Sequence, residues 1–252
     1  MKIKKLKKEA RVSLKKNYWS KVLVAFIITF DINIFFSIFS GEAVFPLLKL
    51  KDFDWETIKN LELQTLHNLF LEHHFPDKTE FIVSLAVIIF EILILSVFKV
   101  GGTRYFIKSQ TDTPSISEIV FAFQGENKAY GNIVAVEVLK FLKIALWSVL
   151  FIIPGVIKAF DYAAVHYVLA LCPHLKPKKA LKVSKAMMKG NRIRFILMEL
   201  SFIGWDIVEF LSFGILKHFY ITPYKLITHD EFFTEIKNKG VKKGIKEFNV
   251  FK

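Results

Sequence analysis

The chain has 252 residues, a formal net charge of +13 and 53% hydrophobic residues, 27 of them Phe, with a mean hydropathy of +0.38. A soluble domain of this length would leave too much apolar surface in water, so a single all-α polytopic membrane domain fits the composition better. With one cysteine, Cys172, no intramolecular disulfide can form.

Residues 2–21 come first, with Ile3, Leu6, Ala10, Leu14 and Tyr18 at helical spacing among lysines. This pattern predicts an amphipathic helix on the cytoplasmic leaflet, with Trp19 as an interfacial anchor. The basic start runs into a long apolar segment without a small-residue cleavage site, so no signal peptide is expected. Six apolar runs follow as predicted membrane spans: residues 22–39, 81–98, 133–153, 156–172, 195–211 and 212–228. At ~1.5 Å per residue the first three rise roughly 27–32 Å, enough for a hydrocarbon core of ~30 Å. The last three are shorter and need local thinning or interfacial anchors.

Between the first two runs, residues 40–80 carry four Lys against eight Asp/Glu, with Trp55, Ile58, Leu61, Leu66, Leu69 and Phe70 suggesting a surface helix. Residues 1–21 carry nine Lys/Arg, residues 173–194 carry eight with no acid, and residues 229–252 carry six. The positive-inside rule then places both termini and 173–194 in the cytoplasm and 40–80 outside, which requires an even number of spans. The basic residues border apolar runs and accompany no nucleic-acid-binding motif. The partners this implies are a plasma-membrane bilayer, anionic lipid headgroups and an unknown protein, not nucleic acid.

In the connection 99–132, Gly101-Gly102 reads as a turn rather than a phosphate cradle, and Ser115 with Glu118 has capping-box spacing ahead of a short helix against the membrane face. Residues 133–172 run together would be ~60 Å long, so the chain must reverse, and Pro154-Gly155 predicts a type II turn there. Ser212-Phe213-Gly214 is the second expected reversal, and Pro223 is expected to kink the sixth run. A single longer tilted span, with the rest on the surface, is the alternative for residues 195–228.

Acids recur inside these runs: Asp31, Glu91, Glu137, Asp161, Glu199, Asp206 and Glu209. An ionised group at mid-bilayer costs roughly 2.5–3.5 kcal/mol on insertion scales, so each calls for a partner or a role. Glu137 with Lys140, and Lys158 with Asp161, are i,i+3 pairs. Glu199, Asp206 and Glu209 fall within ~80° on one helical stripe. Asp31, Glu91, Lys158, Asp161, Glu199, Asp206 and Glu209 are therefore the candidate polar seam, serving either proton or solute passage or interhelical ion pairing. Tyr162 and His166, four apart, are expected to form a hydrogen-bonded core pair. His73-His74 with Glu72 lacks two-ligand spacing, and Ser84, Ser96, Ser148, Ser201 and Ser212 lack a nucleophile context. No catalytic residue, cofactor or metal ligand is expected.

Two blocks are more specific. The first is Leu146-Trp147-Ser148-Val149-Leu150-Phe151-Ile152-Ile153-Pro154-Gly155-Val156-Ile157-Lys158, continuing through Tyr162 to Cys172-Pro173. The second is Met188-Lys189-Gly190-Asn191, Leu200-Ser201-Phe202-Ile203-Gly204-Trp205 and Pro223-Tyr224. With Ala10-Arg11, Asn17-Tyr18-Trp19 and Gly101/Arg104-Tyr105-Phe106, they resemble the bacterial integral-membrane family catalogued as domain of unknown function 975. The resemblance implies a multi-spanning bacterial plasma-membrane protein and brings no catalytic residue with it. Asp206 and Glu209, where the family is expected to be apolar, and Phe232-Phe233, where Phe-Tyr is usual, are departures. The expectation is a non-enzymatic accessory or envelope protein. The alternative is a small transporter or proton-coupled permease using the intramembrane carboxylates.

Overall fold

A computed structural model describes residues 3–29, 78–124, 129–212 and 215–251. Every regular element among them is helical. The chain divides into two units, residues 30–91 and the remainder. Of the first, the described part is essentially α3 (Lys78–Phe90), on which Ile82, Val83, Leu85 and Ile89 are exposed. Asp31, the remainder of the first apolar run, the 40–77 loop with its expected helix and histidines, and Phe213-Gly214 lie outside the described residues.

The second unit begins with α1 (Ile3–Lys15), where Leu6, Ala10 and Leu14 form a buried stripe. That stripe packs on protein, chiefly the late helix α11 (Thr222–Lys242), and not into a leaflet as its amphipathicity suggested. Asn17 adopts φ +54°, a left-handed conformation Asn tolerates better than most side chains, and turns the chain into α2 (Tyr18–Ile28). The ammonium of Lys21, fully buried, donates to the Ser13 carbonyl (2.5 Å) and the Ser13 hydroxyl (3.2 Å), so it caps the last turn of α1 from the next helix.

A π-helical turn, Glu91–Leu95, leads into α4 (Ser96–Lys108). Gly101 and Gly102, expected as a turn, are interior to α4. Each makes room for a neighbour: a Cβ at Gly101 would lie 2.6 Å from the Ile119 carbonyl carbon, and one at Gly102 would lie 2.8 Å from Ile28 Cδ1. Lacking side chains, the two positions let a 3-10 turn (Ile116–Val120) and α2 approach α4 from different sides. Ser115 caps that 3-10 turn by accepting from the Ser117 amide (3.3 Å). Glu118 does not close a capping box, because its carboxylate is taken by Arg104 (2.9 Å) and Lys108 (2.5 Å).

α5 (Ala129–Leu150) and α6 (Ile152–Asp161) form a hairpin. The reversal falls at Phe151, whose backbone is extended (φ −157°, ψ 139°), rather than at Pro154-Gly155. Pro154 sits in the first turn of α6, where its missing amide costs nothing, and Gly155 meets α5, since a Cβ there would lie 2.8 Å from Ser148 Cα. A turn at residues 162–164 separates α6 from the buried α7 (Val165–Leu171). Residues 173–194, read as a cytoplasmic loop, contain α8 (Pro177–Met188), which buries Ala180, Leu181, Val183, Met187 and Met188 against α5, α7 and α11.

The fifth run is two helices, α9 (Arg192–Leu200) and α10 (Ile203–Leu211), broken at Ser201-Phe202, so its three acids do not share one continuous stripe. A second π-helical turn, Lys217–Ile221, then enters α11 (Thr222–Lys242). Pro223 has no amide to offer the carbonyl four residues back, and that carbonyl, of Phe219, accepts instead from the Tyr18 hydroxyl (2.7 Å). α11 continues well beyond the expected end of the sixth run and buries Tyr224, Ile227, Phe232, Phe233 and Ile236. Phe195 stacks on Phe233 (centroids 5.7 Å apart), so the Phe-Phe pair is core. A closing 3-10 turn, Lys246–Phe251, folds Phe248 onto Gly240.

Among the described residues, two helical stretches are long and apolar enough to cross a membrane, Leu85–Lys108 and Ile152–Leu171. The six-span expectation is not supported. The helix of the third run carries Glu137, Lys140 and Lys143; the fifth is broken; the sixth leads into the long, less apolar α11; α2 is described for only 11 residues. Apolar composition identified segments needing cover, but neighbouring helices cover much of that surface, as they do for α7.

Candidate functional site

Two features of this helical body stand apart from ordinary core packing. The first is an uncovered apolar tip. On the α5–α6 hairpin Leu146, Val149, Leu150, Phe151, Ile152 and Ile153 are each 61–86% exposed. The reason is local: after Lys143 α5 has no charged residue, its one hydroxyl, Ser148, faces Gly155, and α6 has no polar side chain before Lys158, so this end of the hairpin is almost wholly apolar. Lys158 stands at the base of the tip, 5.1 Å over the Trp147 ring. A further apolar face, Leu197, Leu200, Ile203 and Ile207, is exposed across the α9–α10 break.

The second feature is a set of carboxylates, each paired with one or more basic side chains. Asp161 is 1% exposed and accepts from Arg192 Nε (2.7 Å), with Arg192 Nη2 also in contact and Lys158 Nζ at 3.8 Å. The Ser184 hydroxyl donates to the Asp161 carbonyl (2.9 Å), tying α6 to α8 beside the pair. Glu137 is buried between Lys140 and His166, whose Nε2 is 3.0 Å away. His166 therefore pairs with α5, not with Tyr162. Glu199 is gripped by Lys225 (2.8 Å) and His229 on α11, and Glu209 meets Lys217 (2.8 Å). Glu235 binds Arg194 and Lys239. Burial works against its charge, but these hydrogen bonds prevail and hold its carboxyl down at about 2.

Of the candidate seam, the structure ties Lys158 to Asp161 and assigns Asp161, Glu199 and Glu209 three separate sets of partners. Glu91 and Asp206 are exposed, and no seam residue lines either of two grooves along α1, one reaching Gln110 and Glu231 and the other reaching Ser201. The i,i+3 pairs were visible as spacing. Arg192, Lys225, His229 and Lys217 were not, because nothing in a linear pattern says which distant cation will face which acid. Asp230 was also missed: its carboxylate is buried, Oδ2 has no hydrogen-bond partner, and burial together with adjacent Glu231 raises its pKa well above the usual range. Among the described residues no group of three His, Cys, Asp or Glu gathers as a metal centre.

The Asp161–Arg192 junction, the hairpin reversal and the Phe195–Phe233 stack all fall in one continuous stretch. Residues 151–240 match the family described as "Protein of unknown function (DUF975)". This is the family that the Ile-Pro-Gly and Gly-Trp blocks resemble. The matched stretch runs from the exposed reversal at Phe151 to Gly240, against which Phe248 closes, and includes Asp206 and Glu209. No curated protein and no solved structure matches the chain.

Proposed function

We propose that this chain is an integral membrane protein of the plasma membrane, non-enzymatic, with an accessory or partner-binding role and with its basic helices on the cytoplasmic side. The observation that carries the reading is the exposed tip of the α5–α6 hairpin. Its six side chains present on the order of 700 Å² of apolar surface, above the ~300–600 Å² of the largest patch on a typical soluble monomer. At ~25 cal/mol per Å², hydration of that surface costs about 17 kcal/mol, more than the ~5–15 kcal/mol net stability of a domain. Hydrocarbon removes the cost, and the lysines at the base of the tip match a headgroup layer.

The accessory role is favoured over a carrier by the ion pairs. Asp161, Glu137, Glu199 and Glu209 each have a local cation, and a carboxylate so held has no vacancy for a travelling proton or solute. Fractionation tests the first half: after an alkaline carbonate wash the protein should stay with membranes, and release into the supernatant without detergent refutes membrane residence. Cross-linking in native membranes tests the second half. A stoichiometric protein partner is expected, whereas an ion or solute flux in proteoliposomes that D161N abolishes without lowering folded yield would restore the carrier.

A further inference from the structure

Resting on the membrane reading, the structure points to a specific lipid site. We propose that the groove between α1 and the α9–α10 break binds the phosphate of an anionic phospholipid, with its acyl chains lying along the adjoining apolar face. The groove encloses roughly 600 Å³, within the ~300–1,000 Å³ range of ordinary ligand sites, and Ser201 forms its far wall.

Lys4, Lys8, Arg11 and Lys15 line it at i, i+4, i+7 and i+11, one exposed stripe beside the buried Leu6/Ala10/Leu14 stripe. No carboxylate among the described residues pairs with any of the four; the one ion pair described on α1 is Lys5 with Glu9. Lys7 is committed to structure, since its ammonium donates to the Ser201 carbonyl (2.6 Å) and lies 3.8 Å over the Phe202 ring, pinning α1 to the break. Glu199, the acid whose charge acts on Lys7, is engaged by Lys225 and His229.

The helix is built against its own electrostatics. Like charges at i,i+4 destabilise a helix by a few tenths of a kcal/mol each, and cations in its first turn oppose the helix dipole. α1 has no acid in that turn. A bound anion offsets both penalties. What selects a lipid over free phosphate is the surface beside the groove. Leu197, Leu200 and Ile203 are exposed immediately either side of Ser201, so a headgroup seated among the cations has an apolar track for its chains.

The test uses the full chain in nonionic detergent with Trp19, Trp55 and Trp147 changed to Phe, so that Trp205, one turn beyond Ser201, reports alone. Brominated phosphatidylglycerol in mixed micelles should quench Trp205 with at least tenfold tighter apparent binding than brominated phosphatidylcholine. K4Q/K8Q/K15Q, which removes three charges that have no ion pair or hydrogen bond among the described residues, should erase at least tenfold of that preference, given about fivefold per cation near an anionic surface. K4R/K8R/K15R should retain it. Equal quenching by the two lipids, or an unchanged preference in the Gln variant, overturns the site. Displacement of the lipid by equimolar inorganic phosphate would make it a small-anion site and overturns the lipid assignment. Should the Gln variant not fold, K8Q alone and a salt titration read the same preference. A protein that is monodisperse without detergent refutes membrane residence, whereas a detergent-requiring protein without headgroup preference refutes only the site.

Discussion

Changing Arg192 to Gln removes the principal cation facing Asp161 while leaving a carboxylate that is 1% exposed. Breaking a buried pair on one side costs roughly 3–5 kcal/mol, because the remaining charge is left unsolvated. Here Lys158 stays 3.8 Å from Asp161 Oδ2 and recovers part of that, so R192Q should destabilise by about 2–3 kcal/mol. D161N leaves Arg192, whose side chain is 36% exposed, free to reach water, and should cost about 1 kcal/mol. The double variant, with neither charge, should be more stable than R192Q alone, giving a coupling of about 2 kcal/mol. Adding K158Q to R192Q should deepen the loss. Reversible unfolding in mixed detergent micelles reads all of these. An R192Q protein within ~0.5 kcal/mol of wild type, or a double variant that loses the sum of the singles, would refute a load carried jointly by this pair.

Three further outcomes are expected. G155A should lose about 1–3 kcal/mol, because its Cβ would lie 2.8 Å from Ser148 Cα and wedge the hairpin, while G131A, with nothing within 4 Å, should gain up to ~1 kcal/mol; thermal melting of both separates packing from helix propensity. Y18F should cost about 1 kcal/mol by orphaning the Phe219 carbonyl, and an unchanged melting temperature would show that water satisfies it equally well. D230N should stabilise increasingly as pH rises. The folded carboxyl titrates above its unfolded value near 3.8, so wild type loses stability once pH exceeds that value, and the gap between the two proteins should widen from pH 4 to pH 8. A gap independent of pH would refute a buried carboxylate whose Oδ2 lacks a hydrogen-bond partner.

Helicity was legible because apolar and cationic residues recur at helical spacing throughout, as Leu6, Ala10 and Leu14 illustrate. The kind of cover each apolar run receives was not. Val165–Ala170 reads as membrane-spanning in a hydropathy profile, yet those residues are largely shielded by protein, whereas the equally apolar Val149–Ile153 are bare. Glycine misled for a related reason. Gly101, Gly102 and Gly155 carry the composition of turns, but each lies where another element presses closely on a helix, a requirement set by a distant residue such as Ile119 or Ser148. Half of the Asp161 cluster was visible as Lys158 with Asp161, and the stronger half awaited Arg192, 31 residues away.

The docking of α1 on α11 joins two segments far apart along the chain: Lys7 offers its carbonyl to the hydroxyl of Tyr224, 217 positions later. At ~5–20 residues per second, a ribosome takes roughly 10–40 s to traverse that interval. Throughout it the leading helix has no permanent berth, and its leucines and lysines must be sheltered by bilayer, chaperone or insertion machinery. Maturation of this molecule is therefore a clasp fastened only once α11 has been made, and removing α11 should unfasten α1.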